Sequence, residues 1–306
     1  MEQIFDVIIP MTLDNLPMFK MNIEWIKKNI SQKRIVVLGA EALRQPSMEL
    51  GAEFINEDSL LKGLTLQSVK NILEKRLGIS KRAGWYFQQF LKLGYAYVCE
   101  DEYYIVWDSD TIPLHNISHV IGGHPVFTKK EEMELSYFET LDTLFAGEVK
   151  RFGDFSFICE NMIMKTVFVK EMLDVIMNQP GLEGESFWER ILNAVSDENL
   201  LGSGFSEFET YGNYIMRYHP DTYNLRTLRG LRKGAEYFGM EPDKNELLWA
   251  SKSYDTIAFE GWSHHHRLLG MICGNRIVQA LFPLSCIVFM KNTVSRIRSG
   301  GRKDRK

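Results

Sequence analysis

Two aspartates one residue apart, Asp108 and Asp110, directly follow an apolar run at residues 103–107. Carboxylate oxygens are the ligands that Mg²⁺ and Mn²⁺ prefer, and α/β proteins bind such ions and phosphates at the carboxyl ends of their strands. The pattern therefore favours metal-assisted chemistry on a nucleotide-linked substrate. The alternative is that both residues shape a turn and cap a helix, positions where Asp is common.

A cationic, amide-bearing helix is predicted at residues 82–93, just before this strand. Arg82, Gln89 and Lys92 are spaced by seven and three residues and share one helix face, with Trp85 and Gln88 beside it. Next to a metal site, such a face suits a diphosphate and a nucleobase. The alternative is an ordinary amphipathic helix whose basic residues are solvated.

The elements before Asp108 alternate between strands and helices. Apolar runs predict strands at residues 5–9, 34–38, 52–55 and 103–107, and helical spacing predicts helices at 16–30, 66–77 and 82–93, with Gly78 ending the second. Strands at 155–159 and 162–164 and helices at 166–177 and 187–195 are predicted further along. This order indicates an α/β fold with a mixed, mostly parallel central sheet.

The composition is that of an ordinary globular protein. The chain has 306 residues, 45% of them hydrophobic, and a net charge of -4. Its four cysteines are scattered and form no zinc-binding or disulfide pattern. No signal peptide and no run of ~18 apolar residues is present, so we expect a cytoplasmic protein.

Three stretches of the chain resemble bacterial glycosyltransferases of the GT-A fold. They are Val-Ile-Ile-Pro at 7–10, the helix at 82–89 together with Lys92, and Trp-Asp-Ser-Asp at 107–110. More narrowly, the chain is similar to a poorly characterised, DUF6492-like group of proteins from polysaccharide and capsule gene clusters. The resemblance covers roughly residues 1–270 and implies one Rossmann-type, GT-A-like nucleotide-binding domain there, followed by an extension at 271–306.

The resemblance also implies a sugar-transfer site that uses Mn²⁺ or Mg²⁺. Asp110 would bind the metal on the diphosphate of a UDP- or GDP-linked sugar, and Asp108 would face the metal and the ribose or sugar. His264 or His266 would supply a further metal ligand; the alternative is three adjacent histidines in a surface turn. Glu160 and Asn161 would line the sugar pocket, although a polar bulge between buried strands has the same pattern.

A candidate general base lies in the aromatic segment 204–212. Glu207 and Glu209 follow Ser206, which is suited to cap a helix, and burial beside aromatic rings would raise the pKa of either carboxyl. Inverting enzymes of this fold often keep a carboxylate at the start of such a helix. The alternatives are a capping role and a retaining reaction that uses no base.

An apolar stretch at residues 280–290 runs into a basic segment. Residues 291–306 contain seven Lys and Arg residues and one Asp, a local charge of +6. Apolar and polybasic segments together predict reversible attachment to an anionic membrane surface, which would suit a lipid-linked glycan acceptor. The alternative is a docked helix with a basic end. Nucleic-acid binding is not expected, because the rest of the chain is acidic.

Two other functions fit parts of the pattern. A haloacid-dehalogenase-type phosphatase also ends a strand in Asp-X-Asp, but that family has Thr or Val four residues after the first Asp, where this chain has Ile112. A non-catalytic carbohydrate- or nucleotide-binding component of a polysaccharide assembly complex would not need Asp110. The leading prediction is a metal-dependent glycosyltransferase of surface polysaccharide synthesis.

Overall fold

The computed structural model describes residues 4–261 and 263–303, with side chains through residue 294. The chain forms two compact units, which interleave along the sequence. The first comprises residues 1–17, 31–109 and 118–227, and the second residues 18–30, 110–117 and 228–306. The boundary predicted at residue 270 stays a prediction. Among the described residues, no helix combines the length and the apolarity needed to cross a membrane.

The first unit is built on a five-stranded sheet in the order β3-β2-β1-β4-β8. Its strands are β1 (Phe5–Pro10), β2 (Gln32–Gly39), β3 (Glu53–Asn56), β4 (Tyr103–Trp107) and β8 (Asn161–Lys165). The first four strands pair in parallel, and β8 pairs antiparallel with β4. Every residue of β1 is buried, as expected for a central strand covered on both faces. The α/β class with a mixed, mostly parallel sheet is therefore confirmed.

Local sequence signals set the start of α3 (Leu66–Leu77) and of α9 (Glu207–Tyr218), and the end of α3. Thr65 accepts a hydrogen bond from the backbone N–H of Ser68 at the start of α3, and Gly78 ends that helix with a φ of 71°. Ser206 caps α9 in the same way as Thr65 caps α3. The helices are α2 (Arg44–Glu49), α3 (Leu66–Leu77), α4 (Ala83–Gly94), α5 (Leu135–Leu144), α6 (Thr166–Asn178), α7 (Phe187–Ala194), α8 (Asp197–Leu200) and α9 (Glu207–Tyr218).

Two details of the predicted order are wrong. The short helix α2 between β2 and β3 was not predicted, because six residues containing Pro46 give little helical periodicity. The strand predicted at residues 155–159 is a loop in which Ser156 forms one isolated bridge with Lys130. Phe157 is buried there against the rings of Phe127 and Phe155, so the alternation of apolar residues in the sequence resembles that of a strand. A small sheet of β6 (Val120–Ile121), β7 (His124–Thr128) and β9 (Asn224–Arg226) completes the first unit.

The second unit has its own hydrophobic core around a three-stranded sheet. The strands are β5 (Thr111–Pro113), β10 (Gly230–Leu231) and β11 (Thr256–Ala258), in the order β10-β11-β5. Asn22 and Asn29 of α1 donate side-chain hydrogen bonds of 2.7 Å to the carbonyls of Thr111 and Pro113, which fixes the helix beside β5. The helices are α1 (Leu16–Asn29, from Met18 on), α10 (Gly234–Phe238), α11 (Lys244–Ser251), α12 (Arg267–Cys273), α13 (Arg276–Leu281) and α14 (Leu284–Lys303).

Candidate active site

A buried lysine lies between two carboxylates at the carboxyl end of β4. The Nζ atom of Lys92, on α4, is 2.8 Å from Oδ1 of Asp108 and 2.7 Å from Oε1 of Glu207, the first residue of α9. The Lys92 and Glu207 side chains are 10% and 4% exposed, whereas that of Asp108 is 34% exposed. The cluster therefore reaches solvent mainly through Asp108.

The electrostatics of this cluster keep Lys92 charged. Burial by itself lowers the pKa of Lys92, but the carboxylates of Asp108 and Glu207 outweigh it, and the pKa lies above the usual range. Burial raises the pKa of Glu207, and the Lys92 ammonium offsets only part of that rise. The Lys92 ammonium thus pairs with the carboxylates of both Asp108 and Glu207, and the Glu207 carboxylate is the one shielded from solvent.

Side chains of α4 fix the start of α9 at this point. Oε1 of Gln89 accepts a 3.1 Å hydrogen bond from the backbone N–H of Glu207, and Nζ of Lys92 lies 4.6 Å from the ring centre of Phe208. The hydroxyl of Tyr104 donates to the carbonyl of Lys92. Lys92 thus joins the end of β4 to the start of α9, and Gln89 contacts the start of α9. Their predicted contact with a ligand stays a prediction.

Glu209, the other predicted base, is held in the core. Its Oε2 accepts a 2.8 Å hydrogen bond from the backbone N–H of Phe157, and its Oε1 accepts one of 2.8 Å from the side-chain amide of Asn213. Burial raises the pKa of this carboxyl to about 7. One oxygen of Glu209 thus fixes the loop that replaces the predicted strand, and the other is bonded within α9. Of the two candidate bases, only Glu207 is paired with Lys92 beside Asp108.

The start of β8 adds a second polar group beside Asp108. The backbone N–H of Asp108 donates to the carbonyl of Glu160, and the Glu160 carboxylate lies 3.0 Å from Nζ of Lys130. Oδ1 of Asn161 is 3.0 Å from Nε2 of the buried His119. The antiparallel register explains this proximity, because Asn161 is paired with Trp107, the last residue of β4.

Lys130 and His119 were not predicted as site residues. Lys130 lies in the charged run 129–132, and His119 is an isolated histidine between β5 and β6. Neither has a spacing that points to β8. Only the tertiary fold brings them to Asn161 and Glu160.

The remaining predicted residues lie at the start of α4, with Arg82 directly before the helix and Trp85 and Gln88 in its first turns. Nε of Arg82 donates a 2.8 Å hydrogen bond to the carbonyl of Gly202, and its guanidinium lies 4.3 Å from the ring centre of Trp85. Trp85 and Gln88 are half-buried. Arg82 therefore fixes the loop before α9, and its predicted contact with a diphosphate stays a prediction.

Asp110 and the histidines belong to the second unit. The carbonyl of Asp110 accepts a 2.9 Å hydrogen bond from the backbone N–H of Phe259, just beyond β11. His264 is exposed, and Nδ1 of His266 accepts from the backbone N–H of Leu269 at the start of α12, which leaves Nε2 as the nitrogen that a metal would use. Trp262, whose indole could stack on a sugar ring or lie in a core, is outside the described residues. Within residues 4–261 and 263–303, no three His, Cys, Asp or Glu side chains are grouped to hold a metal.

Several solved structures of sugar-transferring enzymes are similar to this chain. Mouse xyloside xylosyltransferase 1 in its apo form is 11% identical with a TM-score of 0.44, over 85% of this chain and 99% of that one. The galactosyltransferase LgtC in complex with donor and acceptor sugar analogs is 9% identical with a TM-score of 0.42, over 88% and 95%. The glycosyltransferase GlyE of Streptococcus pneumoniae TIGR4 is 12% identical with a TM-score of 0.40, over 96% and 64%. No residue role follows from similarities of this size.

Sequence comparison identifies the chain at the level of its family. A comparison with the curated proteins finds no significant match. Residues 24–225, more than half of the chain and including α4, β4, β8 and α9, match the model of a family of unknown function. The chain therefore belongs to that family, DUF6492.

Proposed function

We propose that the protein transfers a sugar from a nucleotide-linked donor to a glycan acceptor. The observation that carries the proposal is the position of Asp108. The strand order reverses between β1 and β4, since the chain moves outward through β2 and β3 and then returns to the other side of β1. Ligands of open α/β sheets bind outside the carboxyl ends of the strands at such a reversal, and Asp108 directly follows β4 there.

The polar groups around Asp108 support a substrate that carries hydroxyl groups and phosphates. Asp108 is part-exposed and is oriented by Lys92, so its carboxylate is suited to accept hydrogen bonds from a ribose or a sugar. Glu160 directly precedes the adjacent strand β8, Asn161 is the first residue of that strand, and each has a partner of its own. We assign Lys92 as a positioning residue that holds Asp108 and Glu207, and Arg82, Trp85 and Gln88 as candidates for contact with the donor.

The donor atoms in the motif fit Mg²⁺ or Mn²⁺ shared with a substrate. Mg²⁺ is commonly held by one or two carboxylates together with substrate phosphates, so a complete set of protein ligands is not required. Asp110 follows Asp108 by two residues and is half-buried, and we retain it as the metal ligand, with His264 or His266 as an added one. A bound cation would neutralise the negative charge that develops on the leaving diphosphate.

Glu207 is the proposed general base if the reaction inverts the sugar. A raised pKa makes a carboxylate a better proton acceptor at neutral pH, and burial has this effect on Glu207. Glu209 is less suited, because both of its oxygens are bonded within the core. A retaining reaction would not need this base. The proposal extends to UDP- or GDP-linked donors, to a lipid-linked acceptor, and to surface polysaccharide synthesis.

The direct test is release of nucleoside diphosphate from a panel of UDP- and GDP-linked sugars, with and without Mn²⁺. We expect release from at least one donor, a decrease of about 100-fold or more in Asp110→Asn, and a decrease of about 10²–10⁴-fold in Glu207→Gln. Asp174→Asn, at an exposed carboxylate on α6, is the matched control and should retain full activity. Nucleotide binding without turnover of any donor would favour the non-catalytic alternative instead.

A further inference from the structure

The last three helices of the second unit each have two apolar faces. On α12, Cys273 is buried and Leu269 packs against the core of the unit, whereas Leu268, Met271 and Ile272 are between 42% and 74% exposed. The three exposed residues are spaced by three and four positions and therefore lie on one side of the helix. Core packing does not account for this second face.

The same arrangement occurs on α13. Val278 packs against the core, and Ile277 and Leu281, one helical turn apart, are each 69% exposed. Phe282 follows α13 and is also exposed.

The helix α14 repeats the pattern a third time. Leu284 and Ile287 are buried, and Phe289, Met290 and Val294 are exposed. Single exposed apolar residues are normal on a protein surface, but runs of them on the free faces of consecutive helices mark an interaction site.

The net charge of the segment that contains these helices indicates which kind of partner the exposed apolar faces bind. Residues 267–306 contain nine Lys and Arg residues and one acidic residue, Asp304, a local charge of +8 that leaves -12 for the rest of the chain. Arg276 and Lys291 are paired with Asp243 and Glu236, so the excess comes from Arg267 and residues 296–306. Two copies meeting through this surface would bring like charges together. An anionic lipid surface offers both an apolar layer and the opposite charge.

We propose that the exposed apolar faces of α12, α13 and α14 together form a docking surface for an anionic phospholipid bilayer. The apolar side chains enter the boundary between the headgroups and acyl chains, and the basic residues are attracted by the lipid phosphates. The surface is wider than the stretch at 280–290 that the sequence indicated, since it includes Leu268, Met271 and Ile277. This proposal does not depend on the transfer reaction.

The test compares two matched pairs of substitutions in the full-length protein. Leu268→Gln/Met271→Gln removes apolar side chains from α12, and the control Leu135→Gln/Met48→Gln removes equally hydrophobic, comparably exposed ones from the first unit. Neither pair changes the net charge. Binding is measured by co-sedimentation with phosphatidylcholine vesicles that contain or lack phosphatidylglycerol, at low and high salt.

We expect the wild-type protein to bind the phosphatidylglycerol vesicles at low salt, with a vesicle partition coefficient that the α12 pair lowers at least tenfold. A tenfold change corresponds to about 1.4 kcal/mol. The control pair should lower it less than about twofold, since surface changes away from an interface have small effects. The second test pair, Ile277→Gln/Leu281→Gln on α13, should behave like the first, and unchanged far-ultraviolet circular dichroism shows that each variant is folded.

Three results would overturn the proposal. They are wild-type protein that stays in the supernatant at low salt, equal losses in the test and control pairs, and self-association in solution that the α12 pair abolishes. The last would assign the surface to a second copy of the chain. None of these measurements uses the sugar donor, so the transfer reaction can fail or succeed independently.

Discussion

Replacing Lys92 by methionine should destabilise the protein strongly. The substitution keeps an unbranched side chain in place but removes the ammonium that is bonded to both Asp108 and Glu207. Breaking a buried ion pair on one side typically costs about 3–5 kcal/mol, because the remaining charge stays buried without a partner. Glu207 is 4% exposed and should account for most of this cost, whereas Asp108 can be solvated.

The cost should depend on pH. Burial raises the pKa of Glu207 above its ordinary value of 4.5, and Lys92 opposes that rise. Without Lys92, the pKa of Glu207 in the folded protein should be higher still. A carboxyl with a raised folded pKa loses stability as the pH increases from its unfolded pKa through its folded pKa. The deficit of Lys92→Met relative to wild type should therefore be smaller near about pH 5 than near about pH 8.

Urea unfolding at these two pH values measures the effect, and a second substitution identifies its cause. Adding Glu207→Gln to Lys92→Met removes the unpaired charge, so the double variant should recover part of the lost free energy of unfolding. Lys33→Met is the control, since it breaks a surface pair with Asp101 and should have little effect. A Lys92→Met protein as stable as wild type at both pH values, or a double variant without recovery, would refute the reasoning.

Two further predictions concern α9 and α4. Glu209→Gln should flatten the dependence of the unfolding free energy on pH between about pH 4.5 and pH 7. The folded pKa of about 7 makes the stability of the wild-type protein fall over that window by up to about 3 kcal/mol. An unchanged slope, measured by urea unfolding at several pH values, would contradict this. Gly212→Ala should destabilise by about 1–3 kcal/mol, because its Cβ would lie 2.4 Å from the ring of Phe157. Gly84→Ala in α4, where a Cβ meets no atom within 4 Å, should instead stabilise the protein by about 0.5–1 kcal/mol. We expect the midpoint of thermal unfolding to decrease in Gly212→Ala and to increase in Gly84→Ala.

The parts of the fold that local chemistry controls could be predicted from the sequence. The apolar run before Asp108 forms β4, Gly78 ends α3 in the left-handed conformation, and Ser206 caps α9. Each of these features depends on a few adjacent residues, so a single sequence contains the whole signal. The mixed, mostly parallel sheet follows from the order of such elements.

The contacts of the candidate site could not be predicted, because they join residues that are distant in sequence. Lys92 and Glu207 were each candidates, but only the packing of α4 against α9 shows that they are bonded to each other. The roles of Glu207 and Glu209 differ for the same reason, since nothing in their adjacent positions reveals that Glu209 accepts the N–H of Phe157. Lys130 was missed because its partner, Glu160, is 30 residues further along the chain.

The error at residues 155–159 has a physical cause. Alternating apolar residues predict a strand when one face is buried against a core. Here the ring of Phe157 packs on those of Phe155 and Phe127, and the backbone N–H of Phe157 donates to the Glu209 carboxylate. The Glu209 carboxylate thus accepts the hydrogen bond that a neighbouring strand would otherwise accept. The alternation of apolar residues in the sequence is the same in both cases.

Binding of nucleoside diphosphates tests the central claim most directly. We would measure the thermal stability of the wild-type protein and of Asp110→Asn with increasing UDP or GDP, each with and without Mn²⁺. A ligand that binds only the folded state stabilises it by about 2.7 kcal/mol at 100 times its dissociation constant. We predict that one nucleotide stabilises the wild-type protein, that Mn²⁺ increases this effect, and that Asp110→Asn loses the increase. The claim would be contradicted if neither nucleotide stabilised the protein with Mn²⁺ present, or if Asp110→Asn kept the full Mn²⁺-dependent increase.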